Sequence, residues 1–162
     1  MSSAIPTAVL AAALGSALVG GIFYAFSSFV MTALSRVPAA AGMPVMQSIN
    51  VAVLNRSFLG LFMGTAAISL LVAVVAIVAW GTPPAPFWLA GAIVYLGGTF
   101  AVTAFGNVPL NDRLARASLI DPESLAFWEH YLDRWTWLNT VRTVAATAAA
   151  SMFVIGLMRH GG

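Results

Sequence analysis

Hydrophobic positions run almost unbroken through two long stretches: residues 1–35 and 57–111 contain no charged side chain. The second stretch is cut by "GTPPAP" at 81–86, and clustered Pro and Gly punctuate turns. It therefore divides into two apolar segments, about 58–80 and 87–107. With about 5–34 before them and about 138–158 after them, this makes four segments of ~20 residues or more, each long enough to cross a ~30 Å bilayer core at ~1.5 Å per residue. Backbone in lipid must satisfy its own hydrogen bonds, so helices are expected. The reading is all-α: a four-transmembrane-helix bundle in a single integral membrane domain, with connections at about 35–57 and 108–137. The first segment lacks a basic n-region and exceeds the usual 7–15-residue apolar core of a signal peptide, so it is read as a retained span.

Both long connections have patterns of their own. In "VMQSINVAVLNRSF", Gln47, Asn50, Leu54 and Ser57 recur at three- and four-residue steps and share a helical face. In the second, Asp121 fits an N-cap, with Pro122 and Glu123 in the first turn. Leu125, Trp128, Leu132, Trp135 and Leu138 then form an apolar stripe, giving an additional amphipathic interfacial helix between spans three and four. Asn107 closes span three, where Pro109 disfavours simple helical continuation at Val108. Small residues at helical spacing (Ser16 with Gly20, Gly60 with Gly64, Gly97 with Ala101) would let spans approach closely.

Composition agrees with lipid as the main solvent. Of 162 residues 60% are hydrophobic and 7% charged, against about 25% charged in soluble domains. No Cys is present, which excludes disulfides and thiol chemistry. All seven cations are Arg, and a net charge of +2 builds no basic face, so nucleic acid is not a partner. Arg36, Arg56, Arg113, Arg116, Arg134 and Arg142 flank the first and third connections, against Arg159 at the opposite end. The bias toward positive cytoplasmic loops then puts both connections in the cytoplasm and both termini on the non-cytoplasmic side, for a protein of a bacterial inner (plasma) membrane.

Candidate chemistry gathers on that face. "FWEHYLDRWTWLNTVR" holds Trp128, His130, Trp135, Trp137, Asn139 and Arg142, with Asn50, Asn107 and Asn111 expected at the same depth. Each has an ordinary alternative: amides cap helix ends, tryptophans settle at interfaces, and Arg142 snorkels to the surface. An ionisable group inside a span is nonetheless a functional-site hypothesis. The reading depends on Arg142 and the amides lining one shared hollow.

The Gly- and Phe-rich first helix ("GGIFYAFSSFVMTAL"), "MQSIN", "NVPLNDRL" and "W…Y…RWTWLNTVR" resemble the anthrone oxygenase-like family of small membrane proteins. The resemblance implies oxidation of an anthrone-like polycyclic or other hydrophobic aromatic substrate by dioxygen, without metal or flavin. It carries over Asn50, Asn107, Asn111, Trp128, Trp135, Asn139 and Arg142. Within it, His130 is the nearest general base, oriented by Asp133 or Glu129. Arg142 and the amides Asn50, Asn107 and Asn139 would stabilise the substrate anion and a peroxide formed from it, and Trp128, Trp135 and Trp137 would stack on a flat substrate. No cofactor is expected. His130 and His160 belong on opposite sides of the membrane, which leaves a haem on His130 as the one metal alternative, and no nucleotide fingerprint occurs. The competing class is a non-enzymatic membrane subunit binding a lipid, quinone or partner helix. A homo-oligomer fits either class, with no subunit number set by the sequence.

Overall fold

The computed structural model describes residues 4–160 and, across them, contains five helices and no strand. We label them α1 (Ala4–Ser35), α2 (Ala39–Ala52), α3 (Arg56–Val78), α4 (Ala85–Ala115) and α5 (Pro122–His160). The four long helices are each apolar and long enough to cross a membrane, and the chain is an integral membrane protein. Each packs against two neighbours in the ring order α1–α3–α4–α5. Leu14, Leu18, Leu70, Leu71 and Ile77 point outward, each more than half exposed, as lipid-facing side chains do.

The segment ends differ from the sequence reading in two places. The third span does not stop at Asn107 but continues to Ala115. Proline lacks an N–H and crowds the carbonyl four residues back. A widened π-turn over Thr103–Asn107 ends two residues before Pro109, and the chain stays helical through it. The amphipathic segment from Pro122 is continuous with the fourth span in one 39-residue helix, about 58 Å long and nearly twice the bilayer core. The 108–137 connection thus reduces to a turn at 116–121 between two long helices, each longer than a ~30 Å bilayer core.

Local signals explain the junctions. Asn55 caps α3 by accepting from the Phe58 N–H at 3.0 Å. Gly81, at φ +96°, makes the turn between α3 and α4 in a backbone region that favours glycine. Asp121 accepts from the Glu123 and Ser124 N–H groups at 3.1 and 3.2 Å and from the Ser124 hydroxyl at 2.8 Å. The Ser124 hydroxyl, then the Glu123 N–H, hold its carboxyl below the usual carboxylate range. A depressed carboxylate supports the helix start above its unfolded pKa and loses that support as pH falls through the folded value.

Close packing uses only some of the small residues. Ser16 is fully buried, and a Cβ at Gly20 would meet Ala146 and Thr147 at 3.3 Å. Gly60, Gly64 and Gly97 face open space with nothing within 4 Å of an added Cβ, so none of these three glycines serves a close approach inside the chain. Gly98, which lies off the Gly97–Ala101 pair, is a point of close approach between α4 and α5: an added Cβ would lie 2.5 Å from that of Ala145.

Candidate functional site

The polar face of α4 repeats every fourth residue: Tyr95, Thr99, Thr103, Asn107 and Asn111. In a regular α-helix each such step overshoots a full turn by about 40°, spreading five positions over nearly half the circumference. Here the helix is π-wound over Tyr95–Ala101 and again over Thr103–Asn107. The wider turn, closing i to i+5, takes more residues per turn and pulls the drift back. All five side chains then bond to neighbouring helices. Tyr95 donates to the Phe62 carbonyl on α3 at 3.3 Å. Thr99 donates to the Arg142 carbonyl at 3.4 Å, and Asn107 to the Trp135 carbonyl at 3.2 Å. Asn111 accepts from the Tyr131 hydroxyl and the Trp135 indole, both at 2.8 Å, and Thr103 accepts from Arg142 at 3.1 Å.

Arg142 sits on α5 and is only 4% exposed, so it does not snorkel to the surface. Its guanidinium lies over the Phe23 ring, 4.1 Å from the centroid, and 5.2 Å from that of Trp135. One Nη donates to Thr103 and the other to Asn139 Oδ1 at 2.8 Å; Nε is buried without a partner. Asn139 is tied in turn to α1, donating to the Phe23 carbonyl at 2.6 Å and the Ser27 hydroxyl at 2.7 Å. A π-turn at Phe26–Val30 follows that carbonyl directly. Every hydrogen-bond acceptor found on Arg142 is neutral, and the ion pair formed among the described residues, Arg113–Glu123, is elsewhere.

These groups border an open cavity of about 410 Å³ to which all five helices contribute. Phe23, Phe58, Phe62 and Phe100 line its membrane side, and Trp135, Asn107 and Arg142 its α4–α5 side; Asn50, Asn111 and Asp112 lie toward the α2 end. Phe58 stacks on Phe62 at 5.8 Å and Phe62 on Phe100 at 5.6 Å, giving a continuous aromatic wall. Arg142 and the three amides Asn50, Asn107 and Asn111 therefore share one hollow, with Asn139 just behind it holding Arg142.

Three expected site residues stand elsewhere. His130 is exposed on the outer face of α5, in a separate groove with Arg134 and Leu138, because its helical position points away from the buried Trp128–Tyr131–Trp135 face. That takes His130 away from the cavity, both as a base and as the axial ligand of a haem there. Trp137 is 58% exposed and packs under the Arg134 guanidinium at 4.9 Å. Trp128 is buried but stacks on Tyr131 at 5.7 Å, off the cavity wall. His160 packs against Trp88 at 5.4 Å, at the far end of α5. Among the described residues no three His, Asp or Glu side chains converge.

Tyr131, Thr103, Ser27 and Phe23 were not anticipated. Tyr131 joins three helices, accepting from Asn50 of α2 at 3.2 Å while donating to Asn111 of α4. Its signal was the four-residue step Tyr131–Trp135–Asn139–Thr143, hidden among the tryptophans. Asn111→Leu is expected to leave the Tyr131 and Trp135 donors without their acceptor. The cost is about 1–3 kcal/mol for each donor that finds no other, measured as a lowered unfolding midpoint in detergent; an unchanged midpoint would mean that water replaces the amide.

No curated protein and no solved structure matches this chain. The model of one family, described as Anthrone oxygenase, matches residues 52–152. That range holds Thr103, Asn107, Asn111, Trp135, Asn139 and Arg142 and leaves out Phe23, Ser27 and Asn50. The match spans more than half of the 162 residues, and the chain belongs to the anthrone oxygenase family.

Proposed function

We propose that the cavity binds a flat, anthrone-like polycyclic ketone and that the protein oxidises it with dioxygen, using no resident cofactor. The observation that carries this reading is Arg142: a buried cation on the wall of an apolar cavity, with only neutral acceptors around it. An unpaired charge at such a depth is costly. A ligand that becomes an oxyanion on the reaction path would offset that cost most when it is most charged, which is the condition for catalysis rather than mere binding. The Phe58–Phe62–Phe100 wall offers ring faces to a planar hydrocarbon. The volume falls within the range of small-molecule sites, about 300–1,000 Å³.

The reaction balances without another reductant. Both C–H bonds of the methylene opposite the ketone break, one oxygen atom of dioxygen becomes the new carbonyl, and the other leaves as water with the two hydrogens. Loss of the first proton gives an anion delocalised onto the ketone oxygen, which Arg142 would stabilise. That anion is electron-rich enough to reduce dioxygen, and the peroxide formed at carbon collapses to quinone and water. Asn139 and Thr103 hold the guanidinium in place, and Trp135 offers its ring to the substrate edge.

With Arg142 buried in the bundle, Arg36, Arg56, Arg113, Arg116 and Arg134 still mark the end bearing α2 and the 116–121 turn, against Arg159 at the other. We place the α2 end in the cytoplasm and both termini across a bacterial inner membrane, so that the cavity opens toward a cytoplasmic substrate. Purified protein given anthrone should consume one dioxygen per anthraquinone formed, and preparations stripped of metal should lose no activity. Anthrone binding without oxygen uptake would instead leave a non-enzymatic binding protein.

A further inference from the structure

With His130 turned outward, the oxidation proposed above has no base among the residues expected from sequence. We propose that Asp112 accepts the proton from the acidic carbon of the substrate; this rests on the anthrone reading of the cavity. Among the residues lining the hollow, Asp112 is the sole carboxylate and no histidine is present. It is an exposed residue on the last turns of α4, next to Asn111. A carboxylate at the mouth can pass its proton on to water, whereas one beside Arg142 would neutralise the cation that the anion needs.

The spacing also suits the substrate. Asp112 lies nine residues beyond Thr103, the partner of Arg142, roughly 13.5 Å along α4 between backbone positions. The ketone oxygen and acidic carbon of an anthrone lie about 4 Å apart across the central ring, and a contact of ~3 Å at each end brings the span to about 10 Å. Arg142 and Asp112 border the same hollow, so a substrate lying lengthwise between them presents its ketone oxygen to one and its acidic carbon to the other. In the step itself the C–H bond breaks and an O–H bond forms on Asp112. The electron pair stays in the ring system and appears largely on the oxygen facing Arg142.

The test is exchange of the methylene hydrogens of anthrone for deuterium under strictly anaerobic conditions, followed by NMR with purified protein in detergent. Wild-type protein should accelerate exchange above the buffer rate. Asp112→Asn should lower the protein-catalysed rate by about 10²-fold or more while anthrone still quenches tryptophan fluorescence at the wild-type concentration. Asp112→Glu should keep part of the rate, and His130→Ala all of it. Exchange by Asp112→Asn at the wild-type rate would overturn the assignment, as would oxygen uptake by a wild-type protein that catalyses no exchange. Should the Asn variant fail to fold, Asp112→Ser is read in its place by the same criteria. Exchange that depends on Asp112 without oxygen uptake would support Asp112 and refute the oxygenase reading, so the two claims fail separately.

Discussion

Arg142→Met is expected to abolish most oxygen uptake while leaving the fold intact. The substitution keeps length and apolar contact with Phe23 and Trp135 but removes the charge that those rings and two neutral acceptors hold in place. Losing a positioned donor to a developing oxyanion costs about 10²–10³-fold in turnover, roughly 3–4 kcal/mol. Stability should move the other way or not at all, because replacing a buried charge by a well-packed apolar group is often neutral or stabilising. Asn139 keeps its bonds to Phe23 and Ser27 in the variant and so remains anchored to α1. Arg142→Lys sharpens the test: an ammonium keeps the charge but cannot lie flat on Phe23 while forking to Thr103 and Asn139, so intermediate activity is expected. Oxygen-electrode rates and thermal unfolding in the same detergent read both effects. Full turnover by Arg142→Met would remove the charge from the mechanism and return Arg142 to a packing role.

The spans were legible because lipid leaves the backbone few options: an uncharged run of sufficient length has to be helical. Much of what escaped the sequence reading on α4 shares one cause, the assumption of regular α geometry. Under that assumption Asn107 and Asn111 read as helix-end amides, and Thr99 and Thr103 fall off their face. The π-turns of α4 align all of them with α5, and strict spacing by four over residues 95–111 was the available sign. Pro109 misled for a related reason, since the turn before it is already wound wider. His130 was selected for its chemistry near Trp128, but positions two apart on a helix point some 200° apart. One of the pair is buried against Tyr131 and the other exposed. Arg142 could be placed at the right depth from sequence, but not its choice between water and cavity, because the α1 partners that fix Asn139 beside it lie more than 110 residues away.

Gly98→Ala tests the frame that holds these groups. The new methyl would lie 2.5 Å from the Ala145 Cβ, and neither methyl has a torsion that could turn it aside, so the two helices must separate. Overpacking of this kind costs about 1–3 kcal/mol. Here the strain falls beside Thr99, which bonds the Arg142 carbonyl, so separation should also loosen the guanidinium and lower turnover. Gly97→Ala is the matched control, with the same chemistry one residue away and nothing within 4 Å of its Cβ. It should be neutral or mildly stabilising, since Ala is the better helix former. Combining Gly98→Ala with Ala145→Gly exchanges the methyl across the interface, and a double-mutant cycle should recover at least half of the loss. Equal stability of the Gly97 and Gly98 variants would mean that α4 and α5 do not touch at this point, and the alignment that puts Thr103 against Arg142 would then need another cause.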